Sequence, residues 1–267
     1  MPASETLQGS APAAGFLPGP LLLLGAPGVG KGTQAQILMA EWGIPQISTG
    51  DLIRDNIRRE TPIGSRFQKM VAAGTLVPDE IVNEMVEDRL AQPDTQRGYI
   101  LDGYPRTLGQ AEWLDQWLQS NPKRQASGEG LGEAGVHPGS QLRILPLIAV
   151  LIEVRYDELL RRITGRRTGP VSKKIYNIYT NPPVSPGRCD VDGELLVQRP
   201  DDSEEVFAER MKAFHELTSP VIKHYSDLGR FEVVDGEQPV EVVTERIVAA
   251  LQRLRHGASG EVHGNRD

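Results

Sequence analysis

A chain of 267 residues with 39% hydrophobic and 24% charged side chains is long enough to bury a core without disulfide or metal staples. Its formal net charge of −7 weighs against a general nucleic-acid binder, which presents a basic face. Cys189 is the only cysteine, so neither an intramolecular disulfide nor a four-cysteine metal site can form.

Residues 1–19 are rich in Ala, Pro, Gly and Ser, have little to bury, and are expected to be disordered. The apolar run over 16–24 is broken by Pro18, Gly19 and Pro20 and is too short to span a bilayer. Residues 1–15 carry no Lys or Arg, so the basic start of a signal peptide is missing and a cytoplasmic protein is expected. Residues 21–24 read as a buried strand of a parallel sheet. A glycine-rich turn follows, then a helical pattern over 31–42 that Gly43 and Pro45 end. Residues 48–77 are more polar and helical, with breaks at Thr61-Pro62 and Gly74. Another helix covers 80–90, with Ile81, Met85, Val86 and Leu90 on related faces. A short strand over 99–101 ends at Asp102-Gly103. The amphipathic helix over 110–118 carries Trp113 and Trp117 at i, i+4, a spacing expected of core packing.

Residues 121–141 are rich in Gly, Ser and charge, carry no period and read as a flexible surface loop. A buried strand over 147–154 and a helix over 157–163 come next. Residues 165–202 hold many Pro and Gly and several short β-like pieces, as a separate small subdomain would. A long helix over 203–224, a strand over 231–234 and a closing helix over 239–254 complete the pattern, and the tail from Gly257 is expected to be disordered. Strands alternating with helices imply an α/β fold with a parallel sheet and right-handed crossovers. Ligands in such sheets lie beyond the carboxyl ends of the strands, so Gly25 and Asp102, each just after a strand, should face one crevice.

Residues 25–33 read Gly-Ala-Pro-Gly-Val-Gly-Lys-Gly-Thr, between a strand and a helix, the context that makes a phosphate loop credible. Gly25, Gly28 and Gly30 let the backbone curl with its N–H groups inward, the helix N-terminus adds partial positive charge, and Lys31 can reach the terminal phosphates. The strict pattern places Ser or Thr directly after the lysine; here Gly32 stands there and Thr33 follows, which leaves open how the hydroxyl serves Mg²⁺. A phosphate loop alone does not distinguish a kinase from a GTPase or an ATPase motor.

Residues 25–36 extend this motif through Gln34, Ala35 and Gln36. Together with Ser48-Thr49-Gly50-Asp51-Leu52-Ile53-Arg54, Leu101-Asp102-Gly103-Tyr104-Pro105-Arg106-Thr107, Gly165-Arg166-Arg167, Asn181-Pro182-Pro183 and Arg199-Pro200-Asp201-Asp202, this stretch resembles the adenylate kinase family from about residue 20 to 254. The resemblance implies a P-loop parallel-sheet core (20–47, 78–164 and 203–256) flanked by helices, with two small mobile inserts. One insert, 48–77, would grip a nucleoside monophosphate; the other, 165–202, would be a lid over ATP. A flexible insertion over 121–145 is longer than the family usually has.

The resemblance further implies an enzyme that moves the γ-phosphoryl of Mg-ATP to AMP, giving two ADP. Among the catalytic residues, Lys31 would reach the β- and γ-phosphates, Arg106 would hold the AMP phosphate, and Arg162, Arg166, Arg199 and Arg210 would converge on the transferring phosphoryl, with Asp102 orienting Mg²⁺ through water or capping the turn at Gly103. ATP would meet Gly28, Val29, Gly30, Lys31, Gly32, Thr33, Arg166, Ile175, Tyr176 and Gln238. AMP would meet Thr49, Arg54, Thr75, Leu76, Val77, Gly103, Tyr104, Pro105, Arg106, Gln110, Arg199 and Arg210. A planar guanidinium suits bidentate contact with phosphate. Stabilising charge in a loose transition state needs no base or covalent nucleophile, so the lack of a Ser/His/Asp arrangement is no objection.

Some family lids hold zinc with two Cys-x-x-Cys pairs. The matching positions here are Gly169, Ser172, Cys189 and Asp192, two possible ligands of four, so no zinc is expected. By the same resemblance, Thr49 and Gln110 favour AMP over UMP or CMP as acceptor; ATP and GTP remain open as donors. A non-catalytic nucleotide sensor would have lost charge at the transfer site, and Lys31, Arg106, Arg166, Arg199 and Arg210 are all present. The expected partners are small nucleotides, with no nucleic acid and no membrane, and the expected state is a monomer. Gly165 and Gly74 are hinge or turn positions near the insert boundaries.

Overall fold

Strand β1 (Gly19–Leu24) is buried along its whole length, as a continuous apolar run at the centre of a parallel sheet must be. The computed structural model describes residues 18–73, 75–121 and 145–257. The expected disorder of the first residues and of the tail, the insertion over 121–145, and the hinge at Gly74 fall outside these ranges apart from their edge residues.

Five parallel strands form the main sheet in the order β2 (Gln46–Ser48), β3 (Gly98–Asp102), β1, β4 (Ile148–Glu153) and β7 (Phe231–Asp235). Side chains alternate across β1. Leu21 and Leu23 join one core cluster with Leu38 of α1 (Lys31–Trp42) and Ile247 of α9 (Val240–Gly257). Leu22 and Leu24 join the other, with Val86 of α4 (Asp79–Leu90), Leu114 of α5 (Leu108–Ser120) and Tyr225 of α8 (Ser219–Asp227). The sheet is thus covered on both faces. Leu23 pairs with Asp102 in the β1–β3 register, so the loop after β1 and the end of β3 leave the sheet at one edge.

Local chemistry sets the helix ends. Gly43 caps α1 at φ 63 in the left-handed region. Thr61 accepts from the Gly64 N–H and Pro62 opens α3 (Pro62–Ala72). The helix pattern over 203–224 is interrupted: α7 (Glu204–Ala213) and α8 flank a π turn over Phe214–Thr218. Pro220 has no N–H to give the carbonyl four residues back, and the widened turn accommodates it. Trp113 and Trp117 stack on each other, with centroids 6.3 Å apart, and pack only half-buried at the core's margin, while Ala111, Leu114 and Leu118 take the interior. On α4, Val82 is buried with Val86 and Leu90, and Ile81 only packs beside them.

Arg255 ties the opposite end of the sheet together. It is 6% exposed and donates to the carbonyls of Pro18 and Pro20 at 2.9 Å and to that of Pro146.

Away from the main sheet, β5 (Arg166–Thr168) and β6 (Ile175–Asn177) form an antiparallel pair, extended by bridges Thr168–Val197 and Arg188–Leu195. The four positions compared above with a zinc site meet in space. Ser172 Oγ lies 3.1 Å from Cys189 Sγ, the Ser172 N–H donates to Asp192 at 2.8 Å, and a Cβ on Gly169 would stand 3.0 Å from the sulfur. Among the described residues, no three His, Cys, Asp or Glu side chains converge as a metal site. No helix among them is long and apolar enough to cross a membrane.

Candidate active site

The loop after β1 carries Gly25, Gly28 and Gly30 at φ 141, 90 and 102, backbone states that a side chain would strain. Gly30 is the N-cap of α1, so the helix's first N–H groups open toward the crevice. Lys31 folds back over the loop, donating to the carbonyls of Gly25 at 2.6 Å and Ala26 at 3.1 Å. Burial pulls its ammonium down to about 8; Asp102 opposes that shift, and Arg106, Arg210 and Arg166 add to it. Val29 is buried under the loop, and its carbonyl accepts from Arg162 at 3.4 Å, while Glu158 holds the other side of that guanidinium at 2.8 Å. Thr33 is half-buried on the first turn of α1. Gly32 faces both Asp102 and Ile175: a Cβ there would stand 3.5 Å from Asp102 Oδ2 and 3.3 Å from Ile175 Cδ1. Asp102 itself accepts from Gln46 at 2.8 Å rather than capping the turn at Gly103.

Beside this loop lies a cavity of about 60 Å³. Thr49, Arg54, Thr75, Leu76, Val77, Gly103, Arg106, Gln110 and Arg210 line it, nine residues expected on the monophosphate side. Gly50, Ile53, Val71, Val82 and Asp201 complete the wall. Helix α2 (Thr49–Arg58) starts at the cavity because Ser48 caps it, and the Thr49 hydroxyl donates to the Gly103 carbonyl at 2.8 Å. A second cavity reaches from Gly25 and Lys31 to Tyr104, Pro105 and Thr218, and it shares Leu76, Gly103, Arg106 and Arg210 with the first. Arg106 is fixed at this junction by a 2.7 Å bond from Nε to the Gly103 carbonyl.

Cations crowd the junction. Arg199 and Arg210 are each pushed down to about 10 by burial; repulsion from Arg166 adds to both shifts, and at Arg210 the charge of Asp201 opposes it. Burial also lowers Arg106. Arg166 behaves otherwise. Burial disfavours its charge, but the hydrogen bond and charge of Asp202, with the charges of Asp201 and Asp102, together outweigh that and raise it. Asp201 lies 2.7 Å from Arg210; burial would raise its carboxyl, and Arg210, Arg54 and Arg166 hold it below the usual range. In a chain with net charge −7, repelling buried guanidinia are a local charge excess that a phosphate chain would neutralise.

The donor-side expectations divide. Ile175 of β6 lies against Gly32, and the Lys173 carbonyl accepts from Gln36 of α1 at 3.2 Å. Tyr176, on the opposite face of β6, is 2% exposed inside the small sheet, and its hydroxyl accepts from the Asp190 N–H at 2.8 Å. Gln238 sits in the turn after β7 and donates to Asp235 at 2.8 Å.

The fold and the site define a P-loop α/β kinase with a lid. The family model for adenylate kinase matches residues 23–127, and the model for the adenylate kinase active site lid matches 166–201. The adenylate kinase of Moorella thermoacetica is 42% identical over 234 residues, covering 87% of this chain and 98% of the relative. That of Gloeobacter violaceus is 44% identical over 228 residues, covering 84% and 94%. That of Acholeplasma laidlawii is 40% identical, covering 87% and 98%. The chain belongs to the adenylate kinase family and is thus a nucleoside monophosphate kinase.

Proposed function

We propose that this enzyme transfers the γ-phosphoryl of Mg-ATP directly and in line to AMP, reversibly, giving two ADP. The observation that carries this reading is the wall of Arg106 and Arg210 shared by the two cavities: two anionic nucleotides entering from either side would meet at these guanidinia. The loop N–H groups and Lys31 would hold the β- and γ-phosphates, and Arg162, Arg166 and Arg199 would add charge as it spreads over the transferring oxygens. Mg²⁺ would arrive with the ATP; Asp102 and the Thr33 hydroxyl would offer the hard oxygen ligands or water contacts that such an ion prefers. Thr49, Arg54 and Gln110 would seat AMP.

In this reading residues 48–77 are the monophosphate segment, 165–202 the lid, and 20–47, 78–164 and 203–256 the core. Gln36–Lys173 and the 4.0 Å approach of Lys173 to Asp55 support a closed arrangement, which excludes water from the transfer. Hydrogen bonds among Ser172, Cys189 and Asp192 would hold the lid without zinc, so chelation should leave its melting unchanged. A cytoplasmic monomer acting on ATP, AMP and ADP fits the acidic, single-cysteine sequence. The test is stoichiometry. One ATP and one AMP consumed for two ADP formed, with little phosphate released, is the expected result; phosphate release without AMP consumption contradicts it.

A further inference from the structure

Gln110 is only 2% exposed, yet it lines the first cavity, and its amide is not free to turn over. The Arg106 backbone N–H donates to Gln110 Oε1 at 2.7 Å, and Gln110 Nε2 donates to Asp79 Oδ1 at 2.7 Å. A backbone N–H can only donate and an ionised carboxylate can only accept, so the chemistry fixes which end is oxygen and which is nitrogen. Asp79 is itself anchored from its other oxygen, which accepts from the Thr107 hydroxyl at 2.5 Å, and Thr107 in turn accepts from the Gln110 N–H at 3.1 Å. One N–H and one lone pair of the Gln110 amide remain for a ligand.

We propose that Asp79 is a specificity-determining positioning residue, which locks the Gln110 amide so that the cavity takes a base edge with an amino donor beside a ring-nitrogen acceptor and rejects the reverse. Adenine presents that edge; guanine presents a carbonyl beside either a ring N–H or a second acceptor. The inference rests on the reading of this cavity as the AMP site. With the phosphate anchored among the arginines, the base enters in one sense, so the order of donor and acceptor matters. An unanchored glutamine amide could turn over and serve either purine; a locked one cannot, and the mismatched base leaves buried polar atoms unpaired.

Asp79 also stands in the first turn of α4, where any carboxylate complements the helix dipole. The experiment separates the two roles. The ratio of kcat/KM for AMP to that for GMP is measured in the wild type, in Asp79→Ala, and in both again with Gln110→Met. Positioning predicts that Asp79→Ala, which removes the acceptor, lowers the AMP:GMP ratio at least tenfold, raises KM for AMP, leaves KM for ATP within twofold, and has no further effect on the ratio in the Gln110→Met background. An unchanged ratio, an equal loss for both acceptors, or a ratio change that persists in that background overturns it. Should Asp79→Ala not fold, Asp79→Ser carries the same comparison. A wild type that uses GMP as readily as AMP would overturn the acceptor reading itself, a result distinct from any of the variants'.

Discussion

Ile175 packs its Cδ1 atom 3.3 Å from the point where a Cβ on Gly32 would stand, so the small sheet closes over the phosphate loop at the position where the strict motif has a hydroxyl residue. The missing side chain is the room into which Ile175 fits. Gly32→Ser should push Ile175 outward and lower kcat/KM for ATP by about tenfold, some 1.4 kcal/mol in the transition state. Helix α1 should tolerate the change, since Ser is the better helix former. Steady-state kinetics beside a thermal melt check both; unchanged kcat/KM would mean that the contact does not matter to closure.

Lys31→Met should lower kcat about a hundred- to thousandfold. It should also change the pH dependence of stability. With its folded pKa near 8 and its unfolded one near 10.5, the buried charge weighs on the native state below pH 8. Between 8 and 10.5 the unfolded chain binds more protons than the folded one, so this group's effect on stability becomes more favourable as pH rises. Denaturation of ligand-free protein across that window should show a rise in the wild type that the variant lacks.

Arg54 lines only the first cavity and pairs with Asp51 at 2.7 Å, whereas Arg106 lines both. Arg54→Ala should raise KM for AMP roughly ten- to a hundredfold, the worth of a charged hydrogen bond, and leave KM for ATP unchanged. Arg106→Lys keeps the charge but loses the planar fork, and should lower kcat more than either KM. Measuring both KM values in each variant tests the division; equal effects of Arg54→Ala on the two nucleotides would contradict it.

Asp202 has no exposure and pairs with Arg166 through two oxygens. Asp202→Ala would leave that guanidinium buried without its partner. The expected loss is about 3 kcal/mol in chemical denaturation, together with most of the activity. A loss below 1 kcal/mol would show that the pair is not buried in solution.

Much of this was legible in the sequence because single residues sit in well-defined local roles. The glycines around Lys31 and the stop at Gly43 marked the loop and α1, and the apolar run over 21–24 marked β1 without its first two residues, Gly19 and Pro20. Strand β2 was missed: three residues, Gln46–Ser48, with one apolar side chain carry no period, and pairing with β3 makes the strand. The break at the π turn was missed too, though Pro220 marked it. At the site, the motifs named the cations, but Asp79 and the pairing roles of Asp201 and Asp202 emerged only in three dimensions. For Asp201 and Asp202 the available signal was their place just after Arg199; Asp79 has no arginine near it in the sequence. Tyr176 points away from the face on which Ile175 meets Gly32 because residues alternate along β6, and that direction depends on a register the sequence does not mark.

The most direct test of the acceptor assignment is ADP formation from Mg-ATP with AMP, GMP, UMP or CMP offered one at a time, with an EDTA control. Mg-dependent turnover with AMP and little with the others is the predicted result; preferred turnover with UMP, CMP or GMP, or none with any acceptor in a folded sample that binds ATP, would contradict it.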